Sequence, residues 1–517
     1  MSAIAHIPVK APNGVEWDQP VGLFINNEFV ASTGNATLLT IDPANCLDTS
    51  QITMLTLLKR TENEICSVQA ASAADVDVAV KAASAAFKAD SWKKMSGTDR
   101  GALLFKLAEL IERDIEILAT VEAWDNGKTY ASARYGDIPE IARVIRYYAG
   151  WADKIHGHTI PTHANKLAYT LRQPIGVVGQ IIPWNFPLGM AAWKLGPALA
   201  CGNTLVLKAA EQTPLSALVL AKLVKEAGFP PGVVNIINGF GQDAGAALVS
   251  HELVDKVAFT GSTQTGRVIM AQAAQTLKNI TLETGGKSPM IIFSDADMEQ
   301  AVKWAHIGIM TNMGQICTAT SRVLVHKDIA DKFIEGFVAR MKTVSVIGNQ
   351  WSKETHHGPQ VSKAQYTNIL NFIEVGKTEG ANLVCGGKAA SVDGKGFFIE
   401  PTVFRDVTEN MSIFQNEIFG PVVAIVTFET EEEAVQVANN SVYGLGAAVF
   451  TNDLVRAHRV AAEIEAGMVW VNSSQDSDMH VPFGGVKQSG IGRELGEAGL
   501  EAYSQTKAVH INLGTRL

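Results

Sequence analysis

The sequence predicts an α/β protein, and three observations lead to that fold class. Between residues 175 and 284, short apolar runs alternate with segments of helical pattern, which is typical of a sheet with crossover helices. The apolar runs are continuous in Val, Ile and Leu, as expected for parallel strands that are buried on both faces. The chain of 517 residues is 47% hydrophobic, which is enough apolar material for two or three packed units.

The elements before this region are predicted from their own patterns. Residues 21–42 contain short β-rich pieces separated by Asn-Asn and Thr-Gly-Asn, which predicts hairpins. One helix is expected over residues 76–87, where apolar residues recur at helical spacing. A second single helix is expected from Leu103 to Leu118 and beyond, with Asn126-Gly127 as its stop signal.

The alternating region should contain five strands and the helices between them. A second α/β series is expected from 289 to about 485, including a helix over 297–312 and a strand over 321–326. In the first series the predicted strands span 176–182, 203–208, 233–238, 256–261 and 280–284, and the predicted helices span 188–201, 214–227, 244–251 and 264–277.

Charge and composition exclude several classes of function. The formal net charge is −9 without any run rich in Lys or Arg, whereas nucleic acids and membrane surfaces are bound by basic patches. No apolar run reaches the roughly 18 residues of a membrane span, and the first residues lack the pattern of a signal peptide. Five scattered cysteines indicate a reduced compartment, and His156/His158 and His356/His357 are expected at the surface. We therefore expect a cytoplasmic protein without a metal site and without nucleic-acid or membrane partners.

Two glycine-rich turns are candidates for a phosphate-binding site. Gly261 and Ser262 open a predicted helix after one strand, and Gly241 and Gly245 follow the strand before it. Such turns present backbone N–H groups, and the helix dipole attracts the negative charge of a pyrophosphate. Ordinary tight turns explain the same glycines equally well.

Lys208 and Glu211 follow a predicted strand, at the carboxyl edge of the sheet. Polar groups at this edge of an open α/β sheet can bind the hydroxyls of a ribose. A carboxylate there favours NAD, because it repels the 2′-phosphate of NADP. Taken alone, the pair is better interpreted as part of a solvated loop.

Cys317 is the candidate nucleophile. It lies after the predicted helix over 297–312 and before the predicted strand over 321–326. A thiol with a pKa near ~8.5 is mostly protonated at neutral pH, so a nucleophilic cysteine needs dipoles or a base. On spacing alone, a small buried apolar residue is the better interpretation.

Glu283 and Asn185 are candidates for acid–base and oxyanion roles. Glu283 ends a predicted strand before Gly285-Gly286, and Asn185 lies between two prolines that stiffen its loop. A rigidly held amide can donate a hydrogen bond to a developing oxyanion. A turn or capping role is the alternative for each residue.

Several long motifs surround these residues in a fixed order. They are PWNFPL (183–188), GPALACGNTLVLKAAEQTPLSA (196–217), FTGSTQTG (259–266), LETGGKSP (282–289), GQICTATSR (314–322), EIFGPV (417–422) and PFGGVKQSGIGRELG (482–496). From about residue 20 onward the chain resembles the aldehyde dehydrogenase family, with the character of cytosolic fungal members of its broad-specificity NAD class. Two positions depart from the family motifs, namely Thr284 in place of leucine and Ala209 in place of proline.

The resemblance implies a role for each candidate residue. Cys317 matches the nucleophile, Glu283 the general base that activates water, and Asn185 the oxyanion donor. The implied reaction is oxidation of an aldehyde to a carboxylic acid through a thioester on Cys317. The implied cofactor is NAD rather than NADP, held by Trp184, Lys208, Glu211, Gly241, Gly245, Gly261, Ser262, Glu417 and Phe419.

The resemblance also implies how the substrate is selected. An apolar tunnel is expected, and Ser477 stands where some relatives carry an aromatic residue, which predicts a wider mouth. Medium-length aliphatic or aromatic aldehydes are therefore the expected substrates. The implied tunnel residues are Phe186, Met190, Trp193, Ile316, Thr318 and Phe483.

The implied architecture is a Rossmann-like NAD-binding domain, an α/β catalytic domain and a small β oligomerisation arm. A homo-oligomer is expected, either a dimer or a tetramer. The NAD-binding domain comprises 21–155 and 174–284, the catalytic domain 285–486, and the oligomerisation strands 156–173 and 500–517.

Two alternatives and one anomaly remain at this level. A CoA-acylating or semialdehyde-specific relative is the first alternative, and a non-catalytic protein that retains the fold is the second. Residues 46–60 look inserted relative to the family, either as a lengthened surface loop or as translated intron sequence.

Overall fold

The computed structural model describes residues 2–4, 6–46 and 64–517 of the chain. Apart from Cys46, the predicted insertion at 46–60 lies outside these described residues. The N-terminal strands are β1 (Ile7–Lys10), β2 (Glu16–Gln19), β3 (Leu23–Ile25), β4 (Glu28–Val30), β5 (Thr37–Ile41) and β6 (Glu64–Gln69). The helices that follow are α1 (Ala73–Lys88), α2 (Asp90–Lys93), α3 (Gly97–Arg113), α4 (Ile115–Asn126), α5 (Tyr130–Ser132) and α6 (Ile138–Trp151).

One of the hairpins predicted in residues 21–42 forms. β3 and β4 pair in antiparallel fashion around Asn26 and Asn27, whose positive φ angles of 55° and 63° suit a tight hairpin turn. β5 does not close a second local hairpin and pairs instead with β6.

The single helix predicted from Leu103 is in fact two helices, so that prediction is wrong. α3 ends at Arg113, and α4 begins at Ile115. Asp114 between them has φ −96° and ψ 21°, outside helical geometry, and its carboxylate accepts a hydrogen bond from Arg113 Nε at 2.7 Å. The break spans one residue, so the apolar stripe continues across it and periodicity alone does not detect it.

The alternating region forms the predicted strands and helices with shifts of a few residues at their ends. A π-helical turn, Gly241–Gly245, precedes α9. The elements are β7 (Thr159–Ile160), β8 (Lys166–Pro174), β9 (Val177–Ile181), α7 (Pro187–Ala200), β10 (Thr204–Lys208), α8 (Leu215–Ala227), β11 (Val234–Ile237), α9 (Ala246–Ser250), β12 (Lys256–Thr260), α10 (Thr263–Ala273) and β13 (Asn279–Glu283).

The second α/β series and the C-terminal residues supply the remaining elements. These are β14 (Pro289–Ile292), α11 (Met298–Met310), β15 (Arg322–His326), α12 (Ala330–Val344), α13 (Lys363–Thr378), β16 (Asn382–Cys385), β17 (Ala389–Val392), β18 (Lys395–Ile399), β19 (Thr402–Arg405), α14 (Ser412–Gln415), β20 (Val422–Phe428), α15 (Glu431–Asn439), β21 (Gly446–Phe450), α16 (Leu454–Glu463), β22 (Met468–Val471), β23 (Gly490–Ile491), α17 (Gly496–Ala502) and β24 (Ser504–Asn512).

Two large sheets organise the described residues. The first has eight strands in the order β23-β13-β12-β9-β10-β11-β3-β4, and its five central strands are parallel. The chain runs outward from β9 to β11 and then returns to the other side of β9 through β12. The second has seven strands in the order β16-β19-β20-β15-β14-β21-β22, all parallel except β16.

A third sheet of the described chain has three strands in the order β24-β8-β7. Its long antiparallel pair runs from Ser504↔Pro174 to Asn512↔Lys166. Exposed apolar side chains lie along this sheet, among them Leu167, Leu171 and Ile511. The two segments predicted as oligomerisation strands therefore pair with each other within one chain.

Four histidines were predicted to lie at the surface, and His156, His158 and His356 are indeed exposed. The prediction is wrong for His357, whose side chain is fully buried (0% exposed). The backbone N–H of His357 donates to Val346 O at 3.0 Å, and the residue forms a parallel bridge with Ile347. This pairing turns the side chain inward. In the described part of the chain, no helix is long and apolar enough to cross a membrane.

Candidate active site

A cavity of about 530 Å³ opens at the carboxyl ends of β9 and β12, where the strand order of the first sheet reverses. Ligands of open α/β sheets bind at such a reversal. The predicted site residues outside the cavity lining are Lys208, Glu211, Gly241 and Gly245. The predicted residues that line it are Trp184, Asn185, Gly261, Ser262, Glu283, Cys317, Glu417 and Phe419.

Cys317 lies in an irregular segment between α11 and β15. A 3₁₀ turn precedes it, in which Asn312 and Met313 have left-handed φ angles of 48° and 57°. On the other side, a Cβ at Gly286 would come within 2.3 Å of the Cys317 carbonyl oxygen. This close approach requires a glycine and fixes the backbone that carries the thiol.

The thiol of Cys317 is protonated in its resting surroundings. Burial, and after it the charges of Glu417 and Glu283, raise the pKa of Cys317 to about 12, against the backbone N–H groups of Thr318 and Cys317. Very little thiolate is present at neutral pH at such a value. A nucleophilic role for this cysteine therefore requires a nearby proton acceptor.

Glu283 is such an acceptor. It ends β13, is only 3% exposed, and neither carboxylate oxygen has a hydrogen-bond partner among the described residues. Burial, with the charge of Glu494, raises the pKa of Glu283 well above its usual range. The backbone of Gly484 passes close by, since a Cβ there would lie 2.6 Å from Glu283 Oε1. A buried, unpartnered carboxyl group with a raised pKa is suited to take a proton near neutral pH.

Asn185 is held rigidly between β9 and α7, with its side chain 6% exposed. Its Nδ2 donates to Gln315 O at 3.0 Å, which leaves one N–H of the amide for a ligand. Its own backbone carbonyl accepts from Asn312 Nδ2 at 3.1 Å. These bonds tie the amide to the segment that carries Cys317, as an oxyanion donor requires.

Lys194 and Glu494 belong to this site, although the sequence reasoning did not select them. Lys194 Nζ forms an ion pair with Glu494 Oε1 at 2.6 Å and donates to Thr260 Oγ1 at 2.6 Å. Lys194 is fully buried, and Glu494 lines the cavity beside Glu283. The sequence does contain a signal that could have found this pair, namely a single lysine inside the otherwise apolar helix α7. A lysine is buried in such surroundings only when its charge is paired.

Glu417 and Phe419 lie together on one wall of the cavity. Glu417 Oε1 accepts from the Gly286 N–H at 2.9 Å, and burial raises the pKa of Glu417 to about 7. Phe419 has a positive φ of 58°, and its ring packs edge-on against Trp184 with 5.3 Å between centroids. These residues form an aromatic corner beside a carboxylate, since the two ring planes are nearly perpendicular.

Lys208 and Glu211 form a separate polar pair at the end of β10. Lys208 Nζ donates to Ala209 O at 3.1 Å and lies 3.5 Å from Glu211 Oε2. Gly245 approaches the same lysine, since a Cβ there would lie 3.7 Å from Lys208 Cδ. Glu211 remains half-buried, so its carboxylate is within reach of a bound group, whereas Lys208 is only 2% exposed.

Ser262 caps the N-terminus of α10. Its Oγ accepts from the Thr265 N–H at 3.2 Å, and the side chain is exposed toward the cavity. A Cβ at Gly261 would lie 2.4 Å from Phe259 Cζ, so this close turn requires glycine. The exposed N–H groups of this first turn can bind an anion, which is the role that the sequence reasoning assigned to them.

Aromatic side chains form the opposite part of the cavity. The rings of Trp193 and Phe483 pack edge-on, 4.8 Å apart, and Phe186 lies beneath Lys128 Nζ at 4.3 Å. Each of the predicted tunnel residues, together with Ser477, lines the cavity. Thr318 beside the nucleophile is held by Gln475, which the sequence reasoning missed: Thr318 Oγ1 donates to Gln475 Oε1 at 2.6 Å.

Comparison with known proteins identifies the family. The model of the aldehyde dehydrogenase family matches residues 48–509. An aldehyde dehydrogenase of Aspergillus niger is 51% identical over 513 residues, covering 98% of both chains. The mitochondrial aldehyde dehydrogenase of Homo sapiens is 52% identical over 519 residues, covering 99% of this chain and 96% of its own. This chain belongs to the aldehyde dehydrogenase family.

A solved structure agrees with that assignment. The NAD⁺ complex of an aldehyde dehydrogenase from Bacillus cereus is 49% identical, has a TM-score of 0.91, and covers 96% of this chain and 97% of its own. The predicted family resemblance and the predicted α/β fold are therefore confirmed.

Proposed function

We propose that this chain oxidises an aldehyde to a carboxylic acid with NAD, through a thioester on Cys317. The observation that carries the proposal is the cavity itself, which brings together the thiol of Cys317, the unpartnered carboxyl group of Glu283 and the free amide N–H of Asn185. Family membership supports the same chemistry.

The described residues fit NAD. Lys208 and Glu211 would hold the adenine-side ribose, the turns at Gly241–Gly245 and Gly261-Ser262 the pyrophosphate, and Glu417 the second ribose beside Phe419 and Trp184. The half-buried carboxylate of Glu211 repels the additional phosphate of NADP, which favours NAD. When bound, the nicotinamide supplies the hydride acceptor. The Bacillus cereus relative is described as an NAD⁺ complex, which supports this assignment.

Covalent attack begins with the loss of the Cys317 proton. Because the pKa of Cys317 is raised to about 12, the thiol transfers its proton to a base before its sulfur bonds to the carbonyl carbon. The carbonyl oxygen then carries a negative charge, which the remaining Asn185 N–H and the backbone N–H of Cys317 stabilise. Loss of hydride from this adduct leaves a thioester on Cys317.

Hydrolysis of the thioester uses Glu283. Its carboxylate removes a proton from water, the water oxygen attacks the thioester carbon, and the C–S bond breaks to release the acid. Lys194 lies beside this group and is paired with Glu494. Both carboxyl groups line the cavity, and the charge of Glu494 raises the pKa of Glu283.

Other features of the protein follow from the same proposal. We propose an NAD-binding domain of residues 21–155 and 174–284, a catalytic domain of 285–486, and oligomerisation through 156–173 and 500–517 in a dimer or tetramer. Exposed apolar residues on the β24-β8-β7 sheet support an interface there. The cytoplasm remains the proposed compartment, although the similar human protein is named as mitochondrial.

A CoA-acylating activity is the second candidate, and Glu283 argues against it. Transfer of an acyl group to a thiol needs no base that activates water, yet Glu283 is buried and poised beside Cys317. Within the aldehyde-oxidising activity, we propose aliphatic or aromatic aldehydes of medium length as substrates, because aromatic residues line the cavity and Ser477 leaves its mouth wide.

The test measures NADH formation from a panel of aldehydes, with NAD and NADP compared, and with CoA added or omitted. Cys317→Ala should abolish turnover, whereas Cys385→Ala, which removes a half-buried thiol outside the cavity, should retain it. A carboxylic acid should form at the same rate with or without CoA. NADH formation that survives Cys317→Ala would overturn the proposal.

A further inference from the structure

Gln475 lies in the loop after β22 and lines the cavity. Its side chain makes two hydrogen bonds to Thr318, the residue that directly follows Cys317. Gln475 Oε1 accepts from Thr318 Oγ1 at 2.6 Å, and Gln475 Nε2 donates to Thr318 O at 2.8 Å. A backbone carbonyl can only accept, so it fixes which way the amide faces. We call this pair of bonds, to the side chain and to the backbone of Thr318, the Gln475 clamp.

The backbone of Gln475 is held in an unusual conformation. Its φ angle is 61°, in the left-handed region that residues other than glycine rarely adopt. On one side, Ser474 is fully buried, and a Cβ at Gly308 of α11 would lie 2.8 Å from its Oγ. On the other side, Trp470 Nε1 donates to Asp476 O at 2.9 Å. Such strain persists only where the surroundings enforce it, and it is concentrated at functional positions.

Thr318 depends on the clamp for its orientation. Within the described chain, Thr318 makes no backbone–backbone hydrogen bond. Its N–H and that of Cys317 lower the pKa of the thiol, whereas burial and the charges of Glu417 and Glu283 raise it more strongly. Because the clamp holds both the side chain and the carbonyl of Thr318, it opposes any rotation that would turn the Thr318 N–H away from the sulfur.

We propose that Gln475 is a positioning residue for the nucleophile, which aims the Thr318 N–H at the sulfur of Cys317 and so stabilises the thiolate before it attacks the aldehyde. The inference rests on the proposed function, since it concerns the nucleophile of that reaction. Gln475 itself forms no bond to the substrate and transfers no proton. A neutral amide suits this role, because a carboxylate at the same position would oppose the negative charge of the thiolate.

The test measures how fast iodoacetamide alkylates Cys317 at one slightly alkaline pH, read from the mass of the peptide that carries this residue. Only the thiolate reacts, so the rate reports its stabilisation. Gln475→Leu removes both hydrogen bonds with little change in size and should slow alkylation by roughly tenfold. Gln436→Leu makes the same change at an exposed position of α15 outside the cavity, and it should leave the rate unchanged. An unchanged rate in Gln475→Leu would mean that this side chain only fills space, and would overturn the inference.

Gln475→Glu retains the shape of the side chain and covers the case in which Gln475→Leu does not fold. The protonated carboxyl group can donate to Thr318 O as the amide does, whereas the ionised one cannot and also repels the thiolate. The alkylation rate of this variant, divided by that of the wild type, should therefore be lower on the alkaline side of the pKa of the new carboxyl group. A ratio of one at every pH contradicts the inference.

A double variant tests whether the two residues act together. Thr318→Val removes the hydroxyl and leaves the bond from Gln475 to Thr318 O, so it should slow alkylation less than Gln475→Leu does. Combining the two changes should be no worse than Gln475→Leu alone, because both break the same clamp. Effects that multiply would show independent roles and overturn the inference. The proposed function fails separately if alkylation of Cys317 in the wild type leaves NADH formation intact.

Discussion

Glu283 and Glu211 lie at the carboxyl ends of two strands of the same parallel sheet, Glu283 as the last residue of β13 and Glu211 just after β10, yet their surroundings are opposite. Glu283 is 3% exposed without a hydrogen-bond partner among the described residues, and its pKa is raised well above the usual range. Glu211 is half-buried and lies 3.5 Å from Lys208 Nζ. The comparison teaches that the carboxyl edge of the sheet presents a carboxylate, whereas burial decides whether that carboxylate moves protons or binds a ligand.

The largest expected effect is at Glu283, the buried carboxylate. Glu283→Gln removes the proton acceptor and should lower kcat by roughly 10³-fold, in the middle of the usual range for general bases. In a pH profile, the wild-type rate should rise as pH increases through the raised pKa of Glu283, and this rise should be absent from the variant. A single rapid burst of NADH would place the loss at hydrolysis of the thioester, and its absence would place the loss at removal of the Cys317 proton. A variant with wild-type turnover would remove Glu283 from the mechanism.

The oxyanion donor comes next. Asn185→Ala should lower kcat by about 10²-fold with little change in KM, since the lost hydrogen bond strengthens only as charge develops on the carbonyl oxygen. Asn312→Ala is a useful comparison, because its side chain contacts the same backbone without lining the cavity. A larger loss in Asn312→Ala would assign Asn185 a structural role.

A smaller effect concerns the contribution of the buried Lys194–Glu494 ion pair to the stability of the fold. Lys194→Met leaves the carboxylate of Glu494 without its counter-ion and should destabilise the fold by about 3 kcal/mol. Lys303→Met removes an exposed pair with Glu299 and should change stability by less than about 0.5 kcal/mol. Chemical denaturation of both variants measures the difference. Equal free energies of unfolding for the two variants would mean that the buried Lys194–Glu494 pair stabilises the protein no more than an exposed ion pair does.

The smallest effect is expected at the half-buried carboxylate. Glu211→Gln removes the charge that opposes the phosphate of NADP, so the preference for NAD over NADP in kcat/KM should fall by roughly tenfold. The rate with saturating NAD should change little, in contrast to Glu283→Gln. An unchanged cofactor preference would separate Glu211 from cofactor choice.

Sequence reasoning predicted the strands of the first sheet well because buried parallel strands have a clear apolar pattern. It did not predict the break at Asp114 or the burial of His357, since neither changes the periodicity of apolar residues. At the site, the motifs selected Cys317, Glu283 and Asn185, which all line the cavity. They did not identify Lys194 with Glu494, because the two are 300 positions apart in the chain and meet only in the folded protein.

The pairing of β23 with β13 has a consequence for the order in which activity can arise. Gly490 pairs with Glu283, and the same late segment contributes Gly484 and Glu494 to the surroundings of this carboxyl group. During synthesis, Cys317 is made long before these residues. A nascent chain therefore carries a thiol without a completed base, and oxidation of aldehydes should begin only when the last strand of the first sheet is added.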